Sequence, residues 1–416
     1  MLAVDCQFKA SLVEKADEEN RCHVPHSPRE PEHLPRISTQ TIWETVKNEY
    51  ESAGWTLDDD TFRAPTFIDK QQIREAVASH RFERATKERE FVQRRAGALL
   101  KHFANGSEID PTKFSPVLLS VDLNPLYSDL FRLSTLFWSI PVSRGYGRRM
   151  RYILLDQQND KIIGIMALGD PVFNLAARDE HIGWGVNERA SRLYNVLDAY
   201  VLGAVPPYNA LLCGKLVALS AITNDVRRDF NRKYRQNAPI IDAERKPASL
   251  TLVTTTSSLG RSSIYNRLRL PKENSRAYIS VGYSGGWGHY HISDATFLLM
   301  RQWLRQHKDP YADAHQYGDG PNWRMRTIRQ AMNRLGVYGE PLKHGIQREV
   351  FVAPLAKNYQ DYLRGDHKVP RYFDRPMSDI SSYFIERWLL PRSQRIPDWK
   401  LWTRQNTWSA LVHPFR

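Results

Sequence analysis

NVLDAYVLGAVPPYNALLCGKLVALSAI, residues 195–222, carries the reading that decides the fold. Its first part, through Val205, is dominated by apolar and β-branched residues and predicts a strand that stops at the Pro206–Pro207 pair. Leu211, Leu212, Leu216 and Val217 then recur at helical spacing, so a helix entered through Gly214 follows a short turn. A strand, a turn and a helix in this order is one way to build a phosphate cradle. Unsatisfied N–H groups and the positive end of the helix dipole both favour an anion there.

The flanking segments extend the pattern. RYILLD (151–156) and KIIGIMALG (161–169) are joined by the polar run Gln157 to Asp160 and predict a hairpin. ASLTLVTTTS (248–257) predicts a further strand, GRSSIYNRLRL (260–270) a helix after it, and RAYISVGYSGGWGHYHIS (276–293) a glycine-punctuated β segment. Hairpin, strand, helix, strand, helix, strand is a mixed α/β core, expected over 141–293.

Residues 1–39 read as a flexible arm and linker, since VPHSPREPEHLPRIS (24–38) carries four prolines and little apolar period. Residues 40–140 read as helical: FIDKQQIREAVASHRFERATKEREFVQRRAGALLKHFANG (67–106) predicts one long amphipathic helix or two joined, followed by a proline-punctuated helical segment to Trp138. Residues 294–416 read as mostly helical and rich in aromatics. Tryptophan interleaved with arginine there suits either nucleic-acid stacking or, for most of these rings, core packing.

With 59 Lys and Arg against 46 Asp and Glu, the 416-residue chain carries a formal charge of +13, which points to a polyanionic partner, DNA or RNA. The three cysteines form no CxxC pair, which fits a reducing cytoplasm. The first residues show no signal-peptide pattern, and the most apolar stretch, 116–142, is interrupted by Asp122, Asp129 and Arg132. No membrane span and a cytoplasmic location are therefore expected.

The element order around YNALLCGKL resembles the acetyltransferase fold called GNAT, a mixed sheet with flanking helices. In that fold the turn after the fourth strand has the form (R/Q)-x-x-G-x-(G/A) and holds the pyrophosphate of acetyl-CoA. Here Asn209 stands at the Arg/Gln position, Leu212 at the first glycine and Gly214 at the second. Asn209 and Gly214 are thus the cofactor-contact candidates, Leu212 would crowd a phosphate, and no cofactor is expected. The resemblance further implies Tyr265 as a candidate general acid, with Asp198 and His181 as the available candidate bases.

Longer stretches resemble the DruA family of the type I Druantia anti-phage defence systems. WSIPVSRGYGRRMRYILLD, RDEHIGWGVNERASRLYNVLDAYVLGAVPPYN, TTTSSLGRSSIYNRL, GYSGGWGHYHISDATF and GPNWRMRTIRQAMNRLG carry the likeness, and HGIQREVFVAPLAKN extends it. The resemblance implies a role in phage defence alongside other Druantia proteins, including a large helicase-like one. A nucleic-acid- or partner-binding subunit is the expectation; an acyl-transferring enzyme and a pure scaffold are the alternatives.

Arginine clusters supply the candidate nucleic-acid contacts: Arg144, Arg148, Arg149 and Arg151; then Arg227, Arg228 and Arg232, with Lys233 and Arg235; then Arg261, followed by Arg267 and Arg269, with Trp287 and Tyr290 for stacking. Asp225, Asp229 and Glu273 are the counterions that would instead make these solvated ion pairs. His289 and His291 alternate by two and point to one side of a strand, near Asp294. Zinc would need a further ligand pair that this region lacks, so no metal is expected.

Overall fold

The segment around Asp198 forms the expected strand, and it lies at the centre of a seven-stranded sheet in a computed structural model. The structure describes residues 36–412, apart from 59–60, 68, 139–141, 143–144, 146, 236–247, 274, 314–320 and 338. The expectations for the arm before residue 36 and for Arg144 lie outside the described residues.

The strands are β1 (Thr56–Asp58), β2 (Thr61–Arg63), β3 (Pro116–Ser120), β4 (Arg149–Asp156), β5 (Lys161–Gly169), β6 (Val196–Ala204), β7 (Leu252–Thr256), β8 (Arg269–Leu270), β9 (Ser275–Arg276), β10 (Ile279–Tyr283) and β11 (Glu349–Pro354). The large sheet runs β10-β11-β7-β6-β5-β4-β3, while β1 pairs with β2 and β8 with β9. Within the large sheet only β6 and β7 are parallel. Helices cover both faces, which makes the fold mixed α/β.

Two local irregularities set β6 apart from its neighbours. Opposite β5, Leu168 pairs with Ala199 and Ala167 with Val201, so Tyr200 is an extra residue and the strand bulges. The bulge reverses which side chains face which helix layer: Leu197 and Ala199 join one core, Val201 the other. Opposite β7, registered pairing spans only Val196–Leu252, Leu197–Val253 and Asp198–Thr254. One more link follows, from Thr255 Oγ1 to the Ala199 carbonyl at 2.8 Å. Past it β6 runs on to Ala204 bonded to β5 alone, and the two parallel strands open like a wedge.

The expected hairpin is β4–β5, and its turn places Asp160 at φ 54°, a left-handed conformation that Asp tolerates better than most residues. The long helix appears as Lys70–Ala76 and Ala78–Leu99, meeting at Val77. Helices Cys213–Ser220 and Asn224–Tyr234 bury Leu216, Val217, Val226 and Phe230 on one face of the sheet. The helix Thr39–Ser52 joins the helices Asp294–Gln306 and Pro321–Arg334 in a core of their own, built on Ile42, Tyr50, Met300, Trp303 and Ile328.

Three expectations are corrected. PVLLS forms the edge strand β3 rather than helix, because its backbone pairs with β4 from Pro116–Asp156 to Ser120–Tyr152. EVFVAP, in the region expected to be mostly helical, forms β11, which is buried on both faces between β10 and β7. GRSSIYNRLRL forms a 3₁₀ turn at Tyr265–Arg267 and the short strand β8 instead of a helix. Side-chain bonds divert its backbone: Asn266 Nδ2 donates to the Ser262 carbonyl (2.8 Å) and to both Glu349 carboxylate oxygens (3.1 Å).

Candidate functional site

The wedge between β6 and β7 opens into a cleft of about 980 Å³. One wall is the end of β6 and its turn, with Gly203, Pro206, Asn209, Leu212 and Gly214. Opposite lie Ser263, Ile264, Arg267 and Arg269 from the segment after β7. A third wall comes from the helical run Met377–Arg395, where Arg387 and Trp388 sit in a π-helical turn (Ile385–Leu389) and Arg392 and Arg395 follow. Such turns widen a helix locally and recur at functional positions.

The lining is one-sided in charge. Lys215, Arg267, Arg269, Arg387, Arg392 and Arg395 contribute cations, and among the described residues no carboxylate lines the cleft. Lys215 is only 9% exposed, and its Nζ lies 5.3 Å from the centre of the Trp388 ring. Burial lowers its pKa, with Arg267 adding to the effect. Arg392 is fixed by donating from Nε to the Ala210 carbonyl at 2.9 Å. Trp138 lies so close against β6 that a Cβ on Gly203 would come within 2.3 Å of its ring. Cations without counterions, next to two indoles, match the chemistry of phosphates and flat bases.

Most backbone amides of the turn are already bonded within it, Gly214 excepted. The N–H groups of Asn209, Ala210, Leu211, Leu212, Cys213 and Lys215 all donate to carbonyls within the segment Val205–Leu212, at 2.9–3.2 Å. Leu212 adopts φ 63°, the left-handed conformation natural to glycine, which costs a leucine about 1–2 kcal/mol. A Cβ on Gly214 would meet only Ile264 Cδ1, at 3.8 Å.

The other candidates are dispersed. Asp198, on β6, accepts from Thr254 Oγ1 at 2.7 Å, and burial pushes its pKa up to about 6. Tyr265 stacks on Tyr278 at 5.0 Å, and burial pushes it up to about 12. His181 shares a 2.6 Å hydrogen bond with Tyr359 Oη, and burial lowers its pKa. None of the three lines the cleft. His291 Nε2 bonds the Pro341 carbonyl at 2.9 Å, and among the described residues no group of three His, Cys, Asp or Glu side chains is placed to hold a metal.

Among the arginines, Arg148 is engaged by Asp170 (2.7 Å) and the Tyr194 carbonyl (2.7 Å). Arg228 pairs with Asp225, and Arg232 with Asp229 at 2.7 Å, each one helical turn away. Arg227 packs 4.3 Å over the Tyr372 ring. Arg149 and Arg261 are exposed and Arg151 is half-buried, with no carboxylate partner among the described residues. Trp287 is 45% exposed. Sequence reasoning passed over Lys215 and Arg387 to Arg395; the latter's spacing becomes meaningful only once a π turn has shifted the helical register.

Sheet and cleft together define a mixed α/β protein with a cation- and tryptophan-lined cleft beside the end of β6. A family model described as Druantia protein DruA matches residues 68–365. Druantia protein DruA from Escherichia coli (strain UMEA 4076-1) is 46% identical over 367 residues, covering 88% of this chain and 90% of that protein. The chain belongs to the DruA family, and is thus a component of a Druantia anti-phage defence system. No solved structure matches it. Among the described residues no helix is long and apolar enough to cross a membrane.

Proposed function

We propose that this defence protein binds nucleic acid, with phosphates held in the cleft by Lys215, Arg267, Arg387 and Arg395, and acts with other Druantia proteins, a helicase-like one among them. The observation that carries the reading is a lining of six cations, with no carboxylate among the described residues, beside Trp138 and Trp388. Arg149, Arg151 and Arg261 are proposed as outlying backbone contacts. The splayed parallel pair and the helix that starts beyond β6 support a GNAT-like ancestry for the core, and the internally bonded turn amides favour binding over acyl transfer.

The test is filter binding of single- and double-stranded DNA and RNA across a salt series. Replacing Arg267, Arg387 and Arg395 by alanine should weaken binding and flatten the dependence of log K on log[salt] by about 0.7–0.9 for each phosphate contact removed. Unchanged affinity and slope would sink the reading.

A further inference from the structure

Four largely buried arginines of this protein show what the fold does with a sequestered guanidinium. Arg178 bonds Asp179 (2.7 Å) and the Val172 and Phe173 carbonyls (2.9 and 2.8 Å). Arg375 bonds both oxygens of Glu273 (2.6 and 2.7 Å) and the Pro354 carbonyl (2.7 Å). Arg324 bonds Asp294 (2.5 Å) with the Ile292 and Ser293 carbonyls (2.8 and 3.0 Å), and Arg148 bonds Asp170 with the Tyr194 carbonyl (both 2.7 Å). Each has a carboxylate and at least one carbonyl, as the cost of burying a charge requires.

Arg348 breaks this pattern. Among the described residues only its backbone is engaged, its N–H donating to Ser284 Oγ (3.1 Å) and its carbonyl accepting from the Ser284 N–H (2.8 Å). Like that of Arg324, its Nε is sealed from solvent without a hydrogen-bond partner, but here no carboxylate among the described residues pairs with the guanidinium. The groups that feel its charge are Tyr290, whose hydroxyl is likewise sealed and unpartnered, and His344. His344 adds no charge of its own: its Nδ1 accepts from the Ile346 N–H at 3.0 Å, and burial beside Arg348 holds its pKa down to about 4.

Two glycine-bearing loops build the surroundings. Gly288 N–H donates to the Leu342 carbonyl (2.9 Å), Trp287 bridges to Lys343, and a Cβ on Gly286 would come within 3.2 Å of the Gly345 backbone. The same junction presents Trp287, 45% exposed, with Lys343 Nζ 5.8 Å from its ring centre. Lys343 is itself paired with Glu340 at 2.8 Å, so the unengaged groups are a guanidinium, a phenol and an exposed indole, together the complement of one ligand chemistry, a phosphate joined to a flat base.

We propose that Arg348 and Tyr290 form a second anion site, separate from the cleft, that takes the phosphate of a nucleotide whose base stacks on Trp287. The ligand is a free nucleotide or one residue of a strand. The site is tested in the full chain with Arg267, Arg387 and Arg395 replaced by alanine, so that the cleft is silent whether or not it binds nucleic acid. Titration with AMP and, separately, with a short oligothymidylate is followed by tryptophan fluorescence. Saturable quenching is expected, absent in Trp287→Phe, weakened at least tenfold in Arg348→Gln and less in Arg348→Lys. Quenching by AMP marks a free nucleotide as ligand; quenching by the oligomer alone marks a strand. Without ligand, Arg348→Gln should melt no lower than its parent, because an uncompensated charge has been removed. No quenching by either probe, undiminished binding by Arg348→Gln, or a melting point several degrees lower would overturn the proposal.

Discussion

Lys215 Nζ stands 5.3 Å from the centre of the Trp388 ring, and among the described residues no carboxylate faces it across the cleft. A desolvated ammonium that has only an aromatic face for company raises the energy of the folded state whenever it is protonated. Its folded pKa lies below its unfolded one, so between the two the unfolded chain holds the extra proton and stability rises with pH. Raising the pH from about 8 toward about 10.5 should therefore stabilise the wild type relative to Lys215→Met. At neutral pH Lys215→Met should be at least as stable as the wild type while binding nucleic acid more weakly. Urea midpoints at both pH values, with filter binding, check the pair of outcomes.

Asp198 titrates in the opposite sense from most carboxylates. Burial lifts its folded pKa to about 6, above the unfolded value of about 3.9, so from one to the other the folded state holds the extra proton and stability falls as pH rises. Asp198→Asn keeps an acceptor for the Thr254 hydroxyl and removes that loss. At pH 7 it should be more stable by about 1–3 kcal/mol, and the difference should vanish below about pH 4. A constant difference across that range would show that Asp198 does not titrate there.

Leu212 holds the left-handed conformation where a pyrophosphate loop has glycine. Leu212→Gly relieves about 1–2 kcal/mol of backbone strain but gives back part of it in unfolded-chain entropy, so stability should change by less than about 1 kcal/mol. Neither protein should show a raised melting temperature with acetyl-CoA, because most amides of the turn are already bonded within it. A saturable rise of several degrees in Leu212→Gly alone would mean that the leucine was the only obstacle.

How legible these features were depends on the physics behind each. β4, β5 and β6 announce themselves through apolar runs ended by Gln157 to Asp160 or by Pro206–Pro207. β11 does not, since a strand buried on both faces has no alternation and EVFVAP ends in proline. β3 is only five residues, all half-buried, and gives no period to read. The strand and helix around Asn195–Ile222 were readable, and so was the loss of the glycine at Leu212. The cleft was not, because its cations come from three segments more than 170 residues apart at the extremes, and only the tertiary fold brings Lys215, Arg267 and Arg395 together. The Arg228 and Arg232 cluster was visible, but its partners Asp225 and Asp229, one turn away, consume it.

Arg375 ties the third wall of the cleft to the sheet. It is 4% exposed, clasps Glu273 through two hydrogen bonds and bonds the last carbonyl of β11, immediately before the helical run that carries Arg387, Trp388 and Arg395. Glu273→Gln leaves this guanidinium buried without its countercharge and should cost about 3–5 kcal/mol, read as a lower urea midpoint. Replacing both partners by apolar residues of similar volume, Glu273→Leu with Arg375→Met, should recover most of that loss, since no charge is then stranded. The two variants also separate anchoring from stability. If Arg375 sets the position of the helical run, nucleic-acid affinity measured well below the melting temperature should fall in both; affinity retained in the double variant would mean that packing alone positions Arg387 and Arg395.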